Sequence, residues 1–230
     1  MLPIIVPARM NSRRLPGKPL RDIAGKPLLQ WVIESLEHVE GGAGVVVATS
    51  TDSRDDALAA WCAARGCACY RGSLDDVAGR VLGAARARGA EAFVRVSGDS
   101  PLLDPALVDR AVELYQGGGV DLVTNVFPRS FPVGQSVEVL SRAALERVLA
   151  ETAHTEDREH VTRWVYANQD RYRILNFAHE RDESGVRLAV DSPEDLRRIE
   201  RIVAAMTGPH TEYGLPELLR LAREGAAGAR

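Results

Sequence analysis

The chain has 230 residues, room for one α/β domain with a modest extension, and its 45% apolar and 27% charged content is ordinary for a globular protein. A net charge of −3 argues against a general nucleic-acid or membrane binder. With no apolar run of about 18 residues and no basic or long apolar leader in MLPIIV, neither a transmembrane helix nor a signal peptide is expected.

Residues 2–6 (LPIIV) read as a short buried strand. The segment PARMNSRRLPGKPL, residues 7–20, then carries Arg9, Arg13, Arg14 and Lys18 and no acid. Arg21 and Lys26 lie just beyond it, with Asp22 as the intervening acid. Pro27 opens a helix on which Leu28, Leu29, Val32, Ile33, Leu36 and Val39 recur at helical spacing. GVVVATS (44–50) reads as a second buried strand. Residues 53–65 read as a helix capped by Ser53. CACYR is a third strand, 75–88 a helix, and AFVRVS (92–97) a fourth strand ending at GDSPLLDP. Pro105 starts a helix behind Asp104, and VDLVTN (120–125) is a strand. Strands alternating with helices in this way predict a doubly wound, mostly parallel sheet.

The rhythm breaks after Asn125. VFPRSFPVGQ reads as a loop, SVEVL as a strand, Ser141 as the start of a helix, 155–167 as a second helix and 172–177 as a strand. This insert, at about 126–180 within a single domain spanning 1–230, is the natural place for acceptor binding or a dimer contact. VRLAV (186–190) is expected to resume the sheet. Residues 192–206 read as an amphipathic helix carrying Leu196, Ile199, Val203 and Met206, and the tail GAAGAR as frayed. Cys62, Cys67 and Cys69 form no C-x-x-C pair and read as buried or idle thiols, in keeping with a reducing cytoplasm. The five histidines show no metal-ligand spacing.

Chemistry points to two places. In open α/β sheets, ligands bind beyond the carboxyl ends of the strands, where the basic loop lies. Its backbone N–H groups and Ser12 can form a nest for phosphates, with arginine supplying bidentate forks and lysine a point charge. Such a cluster suits a triphosphate, whose charge grows on the leaving pyrophosphate during transfer. The loop is neither a G-x-x-x-x-G-K-[ST] nor a G-x-G-x-x-G motif, which weakens ATPase and dehydrogenase readings. The second place is a pair of aspartates at strand ends. Asp104 caps a helix before Pro105, and Ser192 with Asp195 forms a capping-box pattern around Pro193. Asp99 and Asp191 have no such duty, and two carboxylates plus substrate phosphates suit Mg²⁺. Asp75 and Asp76 read as caps, Arg158, Glu159 and His160 as a solvated helix face, and Trp31 and Trp61 as core.

These residues resemble a known family. IIVPARMNSRRLPGKPLRDIAGKPLLQWVIESL is similar to the start of cytidylyltransferases that make CMP-activated sugar acids. The 3-deoxy-manno-octulosonate enzymes share its P-A-R-x-x-S-x-R-L-P-G-K-P-L pattern. Spore-coat-polysaccharide cytidylyltransferase homologues look closer, sharing VATSTD, RGS-x-DDV, GD-x-P-L-x-DP, EHVT and VD-x-PED across residues 4–195. The resemblance implies a nucleotide-diphospho-sugar transferase (GT-A-like) fold, a homodimer, and CTP with Mg²⁺. It implies that Arg9, Ser12, Arg13 and Lys18 hold the triphosphate, with Lys18, Arg13 and Arg9 acting in catalysis. The backbone at Pro7 and Ala8 would meet the cytosine, Arg80 would lie near the base, and Asp99 and Asp191 would bind the metal. One departure concerns the acceptor side. Relatives often carry PDGLDVEV where this chain has PVGQSVEV, so that Val133 and Ser136 replace two acids while Glu138 remains, the residue the resemblance implies for acceptor binding.

The expected activity is transfer of CMP from CTP to a sugar acid or related small acceptor, releasing pyrophosphate, in the cytoplasm and with no nucleic-acid or membrane partner. Two rivals are a GT-A-type glycosyltransferase, against which stands the absence of a D-x-D motif, and a non-catalytic nucleotide-binding module.

Overall fold

The computed structural model describes residues 1–227. The chain forms strand β1 (Leu2–Pro7), a small hairpin of β2 (Asp22–Ile23) and β3 (Lys26–Pro27), helix α1 (Leu28–Leu36), β4 (Gly42–Ser50), α2 (Asp56–Ala64), β5 (Ala68–Gly72), α3 (Val77–Ala87), β6 (Ala92–Val96) and α4 (Pro105–Gln116). It continues through β7 (Leu122–Thr124), β8 (Val137–Ser141), α5 (Arg142–Glu151), α6 (Thr155–Glu159), α7 (Arg163–Ala167), β9 (Ile174–Asn176), α8 (Pro193–Ala204) and α9 (Leu215–Ala227). Among the described residues a seven-stranded sheet runs β5-β4-β1-β6-β8-β7-β9, with β8 antiparallel to both neighbours and the remaining pairs parallel.

Alternation along β1 builds a core on each face of the sheet. Ile4 and Val6 pack on one side against α1, α2, α4, α8 and α9. Ile5 packs on the other, with Phe93 and Leu140, against α3, α5 and α7. Side chains of a strand point alternately to opposite faces, so a strand covered on both sides reads as a continuous apolar run. Both helix caps deduced around proline form. Asp104 accepts from the Ala106 N–H at 2.9 Å, and Ser192 and Asp195 make a reciprocal capping box. The α1 stripe from Leu28 to Leu36 is buried, as is Trp31; Trp61 is partly buried against the same core.

Four expectations need correction. Ser53 does not cap the second helix. Asp52 caps a short 3₁₀ turn at Ser53–Asp55, and α2 begins only at Asp56. The helix expected over 155–167 breaks between α6 and α7, because Val161 turns into the core and the Thr162 hydroxyl donates inward to Glu138 at 2.8 Å. Residues 186–190 are extended but do not form a strand of the sheet. Their bonds go to the β7–β8 loop, from Val133 N–H to Val186 and from Leu188 N–H to Val133, and to the Asp99 carbonyl from Val190 N–H. The tail expected to fray is helical as far as Ala227; residues 228–230 lie outside the described residues. The segment 126–180 is continuous with the sheet, inserting β8 between β6 and β7 and adding β9 at the edge.

Among the described residues no helix is long and apolar enough to cross a membrane. The thiols differ in setting: Cys62 is buried, Cys67 partly buried and Cys69 exposed.

Candidate active site

The loop after β1 is held in shape from within and below. Met10 O accepts from Ser12 N–H at 2.9 Å and from Gly17 N–H at 3.0 Å. Gly17 has φ 72°, a left-handed conformation open to glycine at little cost. Below the loop, the buried Asp55 accepts from Met10 N–H at 2.6 Å and Ser50 N–H at 3.2 Å. The loop's cations are thereby held on a fixed backbone.

Those cations face a cleft of about 720 Å³ beyond the carboxyl ends of β1 and β6. Pro7, Ala8, Arg9, Ser12, Arg13, Lys18, Arg80, Asp99 and Asp191 all line it. The sheet's topology brings the two aspartates together. Asp99 follows β6, and the Val190 N–H donates to the Asp99 carbonyl at 2.9 Å, which sets Asp191 beside it. Lys18 Nζ lies between the carboxylates, 3.0 Å from Asp99 Oδ2 and 3.1 Å from Asp191 Oδ1. Asp191 also receives Arg187 at 2.6 Å and Arg14 at 3.3 Å.

Other loop residues sit in contrasting environments. Arg9 pairs with Glu159, whose Oε2 is 3.2 Å from Arg9 Nη1. Arg13 is exposed and, among the described residues, has no carboxylate within ion-pair distance. Arg80 is buried and donates to the carbonyls of Ala48 at 3.2 Å, Ser73 at 2.5 Å and Leu74 at 3.3 Å. Burial pulls its pKa below the ordinary guanidinium value, and neighbouring Arg9 pulls the same way. At the mouth of β6, Gly98 permits a close approach, since a Cβ there would stand 3.0 Å from the Pro7 carbonyl oxygen.

Glu138 does not line the cleft. It is 2% exposed, accepts from Arg95 Nε at 2.6 Å, and is further bonded to Thr162 and Tyr166. Burial, and then the adjacent Glu138 charge, push the Tyr166 phenol far above its ordinary pKa. Glu138 therefore fixes Arg95, which does line the cleft.

Sequence reasoning missed Arg95, Ser97, Glu159 and His160 as lining residues. Arg95 left a signal, a lone cation in the apolar run AFVRVS. The expectation of a solvated face at Arg158–His160 is overturned. Arg158 reaches Asp76 at 3.1 Å, Glu159 reaches Arg9, and His160 lines the cleft. Among the described residues, no three His, Cys, Asp or Glu side chains gather as a metal-ligating group. Asp99 and Asp191 alone, two hard carboxylates already sharing one cation, still fit Mg²⁺, which takes one or two carboxylates and fills its remaining positions from phosphates and water.

The sequence profile of the cytidylyltransferase family matches residues 3–225. The spore coat polysaccharide biosynthesis protein SpsF of Bacillus subtilis (strain 168) is 29% identical, covering 94% of this chain and 92% of that protein. The 3-deoxy-manno-octulosonate cytidylyltransferase of Anaeromyxobacter sp. (strain Fw109-5) is 28% identical, covering 88% of this chain and 96% of its own. Among solved structures, a cytidylyltransferase from Leptospira borgpetersenii serovar Hardjo-bovis (strain JB197) superposes with a TM-score of 0.92 at 28% identity, covering 98% of this chain and 95% of that one. A match over nearly the whole length, around a cleft floored by basic loop and paired aspartates, places the chain in the cytidylyltransferase family.

Proposed function

We propose that the protein transfers CMP from CTP to a sugar acid or related small acceptor, releases pyrophosphate, requires Mg²⁺, and works in the cytoplasm as a homodimer in one nucleotidyltransferase domain. The observation that carries this reading is the single cleft that gathers the basic loop, Arg80 and the two strand-end aspartates.

The residues divide the work by position. Arg9, Ser12, Arg13 and Lys18 hold the triphosphate, where charge moves onto the departing β- and γ-phosphates. The Ala8 N–H is spent on the Ala48 carbonyl at 3.1 Å. The base would therefore be met at Pro7 and Ala8 by carbonyl oxygens, which accept from the amino group of cytosine. Arg80, anchored on three carbonyls, closes that side. Asp99 and Asp191 would hold Mg²⁺, which when bound supplies charge neutralisation at the phosphates. Lys18 would then exchange its aspartates for phosphate oxygens. The acceptor oxygen attacks the α-phosphorus in line, the bond from that phosphorus to the β-bridging oxygen breaks, and pyrophosphate carries off the electron pair. A hydroxyl acceptor gives up its proton to solvent water; a carboxylate or phosphate acceptor has none to lose. Glu138 acts on the acceptor side through Arg95, which it orients.

The test is pyrophosphate release with each of four nucleoside triphosphates, Mg²⁺ and a panel of sugar acids, phosphates and phosphonates. Release with CTP and an acid acceptor is expected. Sugar transfer from a ready-made nucleotide sugar with release of its nucleotide and no pyrophosphate, or CTP binding without release across the panel, would replace this reading by a glycosyltransferase or a binding module.

A further inference from the structure

The loop between β7 and β8 carries a guanidinium with no carboxylate to meet. Arg129 is half-buried and donates to the Pro132 carbonyl at 3.4 Å and the Ser136 hydroxyl at 3.0 Å. Among the described residues no carboxylate lies within ion-pair distance of it, as for Arg13 and Arg80 in the cleft, whereas Arg9, Arg14, Arg95 and Arg187 each have one. The nearby acid, Glu138, is spent. Its Oε2 takes Arg95 and its Oε1 takes Thr162 and Tyr166. Two guanidiniums thus surround one fully engaged carboxylate. A cation withdrawn from water without a counter-charge is costly, and a ligand that brings the charge removes the cost.

Register brings the loop that carries this charge to the end of the sheet where the cleft opens. In the β6–β8 ladder Arg95 faces Glu138 and Val96 faces Val137. Continued one step past that ladder, the same register would carry Ser136 toward Ser97, which lines the cleft beside Gly98 and Asp99. Period two puts 95 and 97 on the same face as 136 and 138. The sheet order sets β8 and β1 on opposite flanks of β6, so the loop that carries Arg129 and the basic loop adjoin strands on opposite sides of β6. The loop that carries it is fixed. Asn125 bonds Gln135 O at 2.7 Å and Val137 N–H at 2.9 Å, and the buried Gln135 ties it to Leu102 and Asp104.

We infer that Arg129, with Ser136 beside it, binds an anionic group of the acceptor (a carboxylate, phosphate or phosphonate) and so selects charged acceptors over neutral ones. The inference rests on the cytidylyltransferase reading of the cleft. Ser136 matters because it is neutral: its hydroxyl accepts from Arg129 and can donate onward to the anion. An aspartate at 136 would consume the guanidinium's charge. Burial pulls the Arg129 pKa below its ordinary value while Tyr166 and Glu138 pull it back, and a guanidinium remains charged at neutral pH throughout.

The test is titration calorimetry of the full chain with 3-deoxy-manno-octulosonate, glycerol 3-phosphate and phosphonoacetate, glycerol as neutral control, and CTP, ATP, GTP and UTP each titrated separately. At least one anion is expected to bind and glycerol not. Arg129→Gln and Ser136→Asp should each weaken that anion about tenfold or more, the loss of a charge-assisted contact. Arg129→Lys should retain most of the affinity, and all three variants should bind CTP within about twofold of the parent, which also shows that they fold. The inference is overturned if Arg129→Gln binds the anions like the parent, if it loses CTP and anion together, or if CTP binds and none of the three anions does. Equal binding of all four nucleoside triphosphates would sink the cytidylyl reading, and the parent-to-variant anion ratio would still decide the role of Arg129.

Discussion

Lys18 illustrates how one side chain can serve structure and chemistry in turn. Its ammonium lies 3.0 and 3.1 Å from two carboxylates that would otherwise repel each other. The group is 16% exposed, between the surface pairs worth under about 1 kcal/mol and the buried pairs worth about 3–5. Lys18→Ala should therefore cost about 1–2 kcal/mol in a urea titration, and added Mg²⁺ should restore part of it by occupying the vacated position. Arg13 is exposed and, among the described residues, has no ion-pair partner, so Arg13→Ala should leave stability within about 0.5 kcal/mol. Both changes should lower turnover by roughly two to three powers of ten, as for loss of one preorganised electrostatic contact. Near-normal turnover in both would return the loop to a solvated surface. The aspartates separate by role. Asp99→Asn and Asp191→Asn should each remove most activity, partly recovered at high Mg²⁺. Asp104 caps α4 through Oδ1 and accepts from Leu215 N–H at 2.8 Å through Oδ2. Asn keeps one acceptor oxygen, so Asp104→Asn should cost about 1 kcal/mol of stability with turnover retained. A crippled Asp104→Asn enzyme beside an active Asp99→Asn enzyme would show the metal assignment to be wrong.

Elements whose signals are local could be deduced from the sequence, and those held from afar could not. The start of α4 at Asp104-Pro105 and the capping box of α8 are written within four residues. The run at 186–190 accepts one hydrogen bond from Val133 N–H, donates one back to the Val133 carbonyl and donates another to the Asp99 carbonyl, and no neighbouring residue announces any of them. The break between α6 and α7 likewise depends on Glu138 drawing Thr162 inward. The same long-range packing fixes the turn after α8. His210 is buried there edge-on against Trp31 of α1, centroids 4.5 Å apart, with Nε2 3.1 Å from the Trp31 carbonyl and with Lys26, Glu34 and His38 around it. Burial holds its pKa below the ordinary 6.5. The folded state thus resists a proton that the unfolded chain accepts. Its contribution is intact above pH 6.5 and falls away as pH drops below that value toward the lowered folded one, by at most about 1.4 kcal/mol per pH unit. Urea midpoints from pH 8 to pH 5 should show that decline, and His210→Gln should flatten it; an unchanged profile would mean that other groups set the acid limb.

At the scale of the molecule, alternation between strands and helices announced a doubly wound sheet, and continuous apolar runs announced burial on both faces. The position of β8 between β6 and β7 was not announced, because pairing partners are chosen by packing that no single segment records. That choice matters for the site: it sets Glu138 opposite Arg95. The charge pattern of the basic loop was legible since its cations are neighbours in sequence. The acids that order it, Asp55 and Glu159, come from other elements: Glu159 read as part of a solvated helix face, and nothing in the sequence singled out Asp55. The assembled cleft makes one central claim, cleavage between the α- and β-phosphates of CTP. Two parallel reactions test it, with CTP labelled with ³²P at either the α- or the γ-position, Mg²⁺ and an anionic acceptor. Label from the α-position should appear in the acceptor product and label from the γ-position in pyrophosphate. Label from the γ-position in the acceptor, or in free phosphate with the α-label left in CDP, would contradict it.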